Sequence, residues 1–334
     1  MSDPSEGAPG GFEIENPVLA ESVSRGIAQV EQMLHDSLRS DLQFATRTSS
    51  HLVDAGGKRF RPLFALLAAE FGESASPDVI KSAAVVELVH LATLYHDDVM
   101  DEATMRRGAT SANARWDNSV AILTGDFLFA QASMLVADLG AEAVRNMAGT
   151  FELLVTGQMR ETVGAGAEDD AVQHYLQVIY EKTGSLIATA GRFGAWFSGA
   201  KQDHIDVLDR IGGIVGAGFQ ISDDIIDIAS PAGESGKTPG TDLREGVRTL
   251  PMLYALAEPG SDPRLHELLS GPLETDEDVT EALQRLRRSD GLSRARTTLD
   301  DYARQARDEI ARLPRCSARE ALSSLVDYVV ARTR

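Results

Sequence analysis

Residues Leu88 to Glu102 read LVHLATLYHDDVMDE. A largely apolar run without Gly or Pro ends in three aspartates, Asp97, Asp98 and Asp101. On a helix, Asp97 and Asp101 lie one turn apart and share a face. Like charges at that spacing cost a helix about 0.2–0.5 kcal/mol, and Asp is a poor helix former. A solvated surface would explain one such cluster equally well. The spacing returns, however, at Asp223, Asp224 and Asp227 within FQISDDIIDIAS, residues 219–230, again after an apolar run. Clustered carboxylates need cations, and hard oxygen donors with no His or Cys among them select Mg2+ or Mn2+. Magnesium keeps waters and bridges to phosphate oxygens. Two such clusters therefore imply a phosphorylated ligand.

Around these clusters the pattern is helical almost throughout. Val23, Ile27, Val30, Leu34 and Leu38 recur at three- and four-residue steps. Leu63–Phe71 reads as a helix buried on most sides. Long helices are expected over Ser82–Asp101, Ala121–Leu139, Tyr175–Ser198, Ile205–Ile228 and Leu292–Leu313, with shorter ones over Leu250–Leu256 and Val279–Leu286. Gly56-Gly57, Gly72, Gly108, Gly140, Gly164 and Gly199 punctuate them. Irregular loops are expected at Ser230–Val247 and at Glu258–Asp278. Residues 1–17 are acidic and rich in Gly and Pro, and read as a flexible lead-in to one all-α domain over 18–334, a bundle of about ten or more helices.

The 334-residue chain carries a formal charge of −19. Such a field opposes nucleic acid, so none is expected as a partner. An anionic substrate must then be drawn in by local basic residues or metal ions. Cys316 is the one cysteine, which excludes an intrachain disulfide and fits a cytoplasmic protein. No uninterrupted run of about 18 apolar residues predicts a transmembrane helix, nor do the first 17 residues resemble a signal peptide.

In so acidic a chain, dense basic residues are informative. Gly56-Gly57-Lys58-Arg59-Phe60-Arg61-Pro62 places three positive charges at a helix start, where free amides and the dipole favour anions. Lys58 and Arg61, three apart, can converge on one phosphate. Arg106 and Arg107 follow the first acidic cluster, where they either neutralise it or hold a phosphate against it. His90 lies seven residues before Asp97, on nearly the same face; a lone histidine, without such neighbours, is more often a core residue than a ligand. Lys182-Thr183, Gln220 and Lys237 are weak signals individually.

Taken in order, GGKRFRP, the first DDxxD, Arg106-Arg107, Gly157-Gln158, Lys182-Thr183, the second DDxxD and GKTPGTDLREG resemble the trans-isoprenyl diphosphate synthase, or polyprenyl synthetase, family of long-chain bacterial type. The resemblance spans about Ala55 to Pro251 by motif. It implies the isoprenoid synthase fold, helices around a central cavity, and condensation of isopentenyl diphosphate with an allylic diphosphate. Asp97 and Asp101 would hold two Mg2+ ions and Asp223 a third, with Mn2+ able to substitute, and Asp98 and Asp224 would be catalytic with them. Arg106, Lys182 and Lys237 would grip the allylic diphosphate. Lys58, Arg61, His90 and Arg107 would hold that of isopentenyl diphosphate, with Thr183 and Gln220 at the reacting centre. The family is typically homodimeric, and product release implies transient membrane contact. Many members carry lysine after the Glu-Gly of the second basic loop; here Val247 stands there, and Arg248 takes its place from the next position.

In this family the product grows beside the first DDxxD helix, and bulky residues before the motif cap it. Here Val89, Ala92 and Thr93 stand at those levels with no Phe or Tyr, and Val85 and Val86 continue the small wall. At about 1.5 Å per residue, Ala92 and Val89 lie roughly 7.5 and 12 Å from the aspartates. Tyr95 points elsewhere, and Phe127–Val136 is the expected opposite wall. A heptaprenyl-to-decaprenyl product for a quinone side chain such as menaquinone is expected. A geranylgeranyl diphosphate synthase and a non-catalytic partner subunit remain open alternatives. A terpene cyclase would leave GGKRFRP without a purpose, and a plain calcium- or magnesium-binding helical protein would strand all the basic residues.

Overall fold

The computed structural model describes residues 12–229, 239–258, 260 and 262–333. The expected flexible lead-in, 1–17, lies largely outside them; Phe12 is buried, and Asn16 caps the first helix through its side chain. Contacts gather into two compact units. The first takes residues up to Glu152 with Leu186–Gly212 and Arg312–Leu322; the second takes Leu153–Ser185, Gly213–Ala311 and Ser323 onward.

In the first unit, α1 (Pro17–Ser37) buries Leu19, Val23, Gly26, Val30 and Leu34, one stripe at helical spacing. Next come α2 (Gln43–Asp54), α3 (Phe60–Ala69) and α4 (Pro77–Met100). Helix α4 is buried on nearly every side, as its uniform apolar sequence requires. It packs on α1, α3 and α6 (Asn118–Asp138). Between α4 and α6 lie a two-residue hairpin, β1 (Met105–Arg106) with β2 (Ala109–Thr110), and the short α5 (Ala112–Arg115). The hairpin turns on Arg107 and Gly108, both at positive φ, as a two-residue turn matched to strand twist demands. Helix α7 spans Ala141–Val163, of which the part up to Glu152 belongs to this unit and the rest to the second. Against α3 runs the glycine-bearing side of α9 (Ser185–Phe197). A Cβ at Gly194 would stand 2.0 Å from the Ala65 carbonyl oxygen, so only glycine allows this approach.

In the second unit, α8 (Ala171–Ile179) passes through one π turn, Tyr180–Gly184, before α9. The expected continuous helix over Tyr175–Ser198 is thus interrupted by a wider turn. Helix α10 (Gln202–Ala229) carries the second acidic cluster and buries Ile221, Ile225 and Ile228. The expected loop Ser230–Val247 is corrected in part: 230–238 lie outside the described residues, but Thr241–Glu245 form α11 between two positive-φ glycines. The expected loop Glu258–Asp278 is also corrected. Asp262 and Pro263 start α13 (Pro263–Leu268), and α14 (Asp276–Arg288) begins under the Thr275 cap. Helix α12 (Leu250–Leu256) packs on α15 (Asp290–Ile310), and α16 spans Ser317–Ala331.

The two helix glycines 194 and 218 give opposite predictions. A small apolar crevice lined by Ile214, Leu299, Tyr302 and Val326 adjoins Gly218, and a Cβ there would make ordinary contacts at 3.7 and 3.8 Å. Gly218→Ala is expected to stabilise by about 1 kcal/mol, raising the melting temperature by about 2–4 °C. Gly194→Ala is expected to destabilise by more than about 1 kcal/mol. Thermal melts of both variants check this; a fall for Gly218→Ala would contradict it.

Candidate active site

In the first unit, Asp97 and Asp98 occupy the last turn of α4, and Asp101 is its C-cap, donating its N–H to the Asp97 carbonyl at 2.8 Å. Negative charge at a helix C-terminus works against the dipole, at about 0.3–1 kcal/mol per group. Local helix stability therefore does not explain these residues. Asp98 is fully buried and accepts Arg106 Nε at 2.5 Å, while its Oδ2 is buried without a hydrogen-bond partner. Burial raises the Asp98 pKa, against the pull of Arg106. Arg106 Nη2 also stands 3.9 Å from Asp101. Asp97 and Asp101 are the more accessible pair. Among the described residues no three His, Cys, Asp or Glu side chains surround a common point. An ion held here must complete its shell with water or ligand oxygens, as hard cations such as Mg2+ do. The orphaned Asp98 oxygen and the all-carboxylate donor set fit such an ion.

Beneath this cluster sits a basic one. Gly56, Gly57 and Arg59, all at positive φ, turn the chain into α3. Lys58 is exposed, but Arg59 is buried: it pairs with Glu31 at 2.5 Å and Glu87 at 3.1 Å and donates to the Val53 carbonyl at 3.1 Å. Arg107 donates to the carbonyls of Gly56 at 2.6 Å and Leu52 at 3.0 Å, and its Nη2 lies 3.7 Å from Glu87. A Cβ on Gly57 would meet the Arg107 guanidinium at 2.9 Å. Glu87, 1% exposed in mid-α4, thus fixes two arginines. Arg61 Nε is buried without a partner, and burial, helped by Arg107 and opposed by Glu87, pushes its pKa down to about 10. Burial, then Arg61, Arg107, Arg59 and Arg106, hold His90 well below its ordinary value, so the ring is neutral. Such an arrangement favours an anion.

In the second unit, the three aspartates of α10 have distinct surroundings. Asp224 is buried, accepting from Tyr175 Oη and, at 2.9 Å, from Gln220 Nε2. Burial lifts its pKa to about 7 against the pull of these donors. Gln220 Oε1 in turn accepts Thr183 Oγ1 at 3.4 Å. Asp227 accepts the amides of Thr241 and Asp242 at 3.2 and 3.3 Å, which anchors α11. Asp223 accepts Arg332 Nη2 at 2.5 Å.

Lys182 and Thr183 lie in the π turn, and Lys182 Nζ donates to Glu161 of α7. The turn is pinned through Glu181, which accepts Arg160 Nε at 3.0 Å and Gln177 Nε2 at 2.7 Å. Gly157 permits the approach, since a Cβ there would stand 2.7 Å from the Glu181 Cβ. A π turn at such a place re-aims two side chains that an unbroken α-helix would direct elsewhere. Lys237 lies outside the described residues. Arg248 donates to the Leu269 carbonyl at 3.2 Å, so its guanidinium holds the end of α13, while Val247 is exposed.

Val89 and Ala92 are buried on α4, with Val85 and Val86 behind them, and Thr93 donates to the His90 carbonyl at 2.8 Å. Tyr95 points away, as expected, donating to Thr48 O of α2 at 2.6 Å. On the packed side of α6 stand Leu128, Ala132 and Val136. Near the aspartates, His96 approaches Asp126 at 3.4 Å and Phe129, whose ring lies 4.3 Å from that of Phe151. Sequence reasoning missed Glu87, Glu161, Tyr175 and Arg332. Only Glu87 left a signal, a charge inside the apolar SAAVVELVH.

Residues 43–286 match the family described as polyprenyl synthetase. A nonaprenyl diphosphate synthase of Mycobacterium tuberculosis is 56% identical over 326 residues, covering 96% of this chain and 97% of that protein. A geranylgeranyl pyrophosphate synthase from Corynebacterium glutamicum, solved with calcium and isoprenyl diphosphate, is 52% identical, with a TM-score of 0.85 over 96% of this chain and 99% of that one. A decaprenyl diphosphate synthase from Rhodobacter capsulatus is 32% identical, with a TM-score of 0.86 over 95% and 99%. The order of motifs, the helical architecture and these likenesses agree: the chain belongs to the polyprenyl synthetase family of prenyl-transferring enzymes.

Proposed function

We propose that the chain repeatedly condenses isopentenyl diphosphate with an allylic diphosphate, farnesyl or geranylgeranyl, to give an all-trans product in the heptaprenyl-to-decaprenyl range. The observation that carries this reading is the pairing, at α4, of accessible carboxylates with a backed-up anion site. Asp97 and Asp101 are the more accessible carboxylates at the helix end, while Arg107 is held by Glu87 and the Gly56 carbonyl, within electrostatic reach of Arg61 and of a neutral His90. A metal-binding protein without chemistry has no use for the second set.

Lys58, Arg61, His90 and Arg107 hold the diphosphate of isopentenyl diphosphate, leaving its double bond oriented for attack. Arg106, Lys182 and Lys237 bind the allylic diphosphate and take up charge as its C–O bond breaks. Asp97, Asp101 and Asp223 are the residues that would hold three Mg2+ ions, with Mn2+ able to substitute; bound there, the ions neutralise the departing diphosphate. The hydroxyl and amide of Thr183 and Gln220 present dipoles toward the allylic cation. Proton loss to the released diphosphate closes each cycle, so no side-chain nucleophile is required. Asp98 and Asp224 act by positioning, through Arg106 and through Gln220 and Tyr175.

The small residues Val89, Ala92 and Thr93 support a long product, as do the nonaprenyl and decaprenyl relatives; a geranylgeranyl end product is the second reading, supported by the Corynebacterium likeness. A quinone side chain such as that of menaquinone is the proposed use. We place the enzyme in the cytoplasm, in keeping with its lone cysteine, and treat residues 18–334 as one synthase domain.

Homodimerisation is proposed through α6. This is the one described helix long and apolar enough to cross a membrane, and a third of its apolar window is buried. Asp126 and Gln131 interrupt it, and Ile122, Leu123 and Met134 stand exposed. A second copy covering this face accounts for an apolar helix that one chain leaves open. Transient contact of the enzyme with a membrane serves product release.

Two measurements test these readings. Purified enzyme with Mg2+, farnesyl diphosphate and labelled isopentenyl diphosphate is expected to yield C35–C50 chains as a prediction of the narrow-side-chain wall. Asp97→Ala is expected to lower turnover by at least about a hundredfold, and Ala92→Phe to shorten the product. A discrete C20 product from the wild type would overturn the long-chain reading, and full activity of Asp97→Ala the metal assignment. In sedimentation, the wild type is expected as a dimer and Leu123→Glu combined with Met134→Glu as a monomer; an unchanged dimer would place the interface elsewhere.

A further inference from the structure

Arg332, in the turn that follows α16, is bound to the first aspartate of the second cluster. Its Nη2 donates to Asp223 Oδ1 at 2.5 Å, in a pair whose side chains are 17% and 26% exposed. The guanidinium lies over the Phe219 ring, 4.5 Å from the centroid, and 5.9 Å from that of Tyr328. Phe219 is one helical turn before Asp223, so the ring and the carboxylate form a single seat for a planar cation. The seat leaves Arg332 Nη1 buried without a hydrogen-bond partner. A buried guanidinium donor without an acceptor is costly. The geometry therefore spends part of the arginine's hydrogen bonding to keep a positive charge on Asp223.

Just before this turn, the end of α16 is fastened separately. Ser222 Oγ, adjacent to Asp223, donates to the Val329 carbonyl at 3.0 Å. Beyond Val329 the amides of Arg332 and Thr333 reach back only to Tyr328 and Val330, at 3.3 and 3.2 Å. The segment past Val329 is thus held to α10 by the Arg332–Asp223 pair and by the burial of Val330 and Thr333.

Asp223 is the residue of this cluster best placed to accept a cation: Asp224 is committed to Tyr175 and Gln220, and Asp227 to two backbone amides. A divalent ion on the Asp223 oxygen now taken by Arg332 would stand against an enclosed guanidinium, and like charges in a partly buried site repel strongly. We propose that Arg332 and a divalent cation are alternative partners of Asp223, so that metal loading unlatches the turn formed by residues 330–333. The inference rests on the metal role proposed for Asp223. Arg332 is a positioning residue in this account. It neutralises Asp223 before loading, and on release it carries an unsatisfied donor that suits an anionic oxygen.

The test combines two readouts that do not depend on turnover. Mn2+ binding, followed by electron paramagnetic resonance on the full chain without substrate, is expected to tighten about threefold to tenfold in Arg332→Gln and to lose a site in Asp223→Asn. In the wild type, Mg2+ is expected to speed deuterium exchange at the amides of Arg332 and Thr333 while leaving residues 322–329 unchanged. Unchanged or weaker Mn2+ binding in Arg332→Gln, or unaltered exchange at 332–333, would overturn the latch alone provided Asp223→Asn still loses its site. Full Mn2+ binding by Asp223→Asn would overturn the metal role of Asp223 and the latch with it.

Discussion

A carboxylate sealed inside an apolar helix is stable only when cations are brought to it, and Glu87 meets that condition with two arginines. Arg59 comes from the Gly-Gly turn before α3, and Arg107 from the hairpin after the first acidic cluster. Removing one partner of such a buried set costs about 3–5 kcal/mol, because a charge is left uncompensated. The two arginines in turn bind the carbonyls of Leu52, Val53 and Gly56. One acidic side chain therefore fixes the turn that carries Lys58 and Arg61 and the guanidinium of Arg107, while Arg106 is held separately by Asp98. The anion site is rigid because its support is buried, and it stays positive because Glu87 offsets only part of the surrounding charge.

Within both DDxxD clusters, structural and ligand-binding duties are divided among the aspartates. The second aspartate of each, Asp98 and Asp224, is buried, with its pKa raised by burial; one oxygen of Asp98 and both of Asp224 accept from protein donors. Asp227 serves backbone amides. That leaves Asp97, Asp101 and Asp223 as the more accessible carboxylates, each with part of its side chain open to solvent. The repeated acidic spacing thus does two jobs: it supplies metal ligands and fastens them to neighbouring elements. The chain's formal charge of −19 makes the second job essential, since unanchored carboxylates would spread apart.

The fold class could be read from the sequence because period and punctuation dominate a helical chain. The buried stripe of α1 and the uniform burial of α4 appear directly in the spacing of Val23, Val30 and Leu34 and in SAAVVELVH. Local cues failed where a tertiary contact decides the backbone. The π turn at Tyr180–Gly184 depends on Gly157 and Arg160, more than twenty residues earlier, and α11 on the Asp227 carboxylate. The site divided in the same way. Asp97, Asp101, Asp223, Lys58 and Arg61 belong to dense motifs. Arg332 sits 109 residues from Asp223 in an ordinary helical tail, and Tyr175 is 49 residues from Asp224. Neither distance nor composition marks them. Arg59 shows the converse, a motif arginine whose charge is consumed by the core.

Glu87 is the sharpest point of attack on this account. Glu87→Gln keeps the shape of the side chain and removes the charge that holds Arg59 and Arg107. Steady-state kinetics on the folded variant are expected to show the KM for isopentenyl diphosphate rising about tenfold or more, with that for the allylic diphosphate changed less than about twofold. Unchanged KM values for both substrates, or equal rises in both, would contradict the claim that a buried carboxylate on α4 organises one diphosphate site.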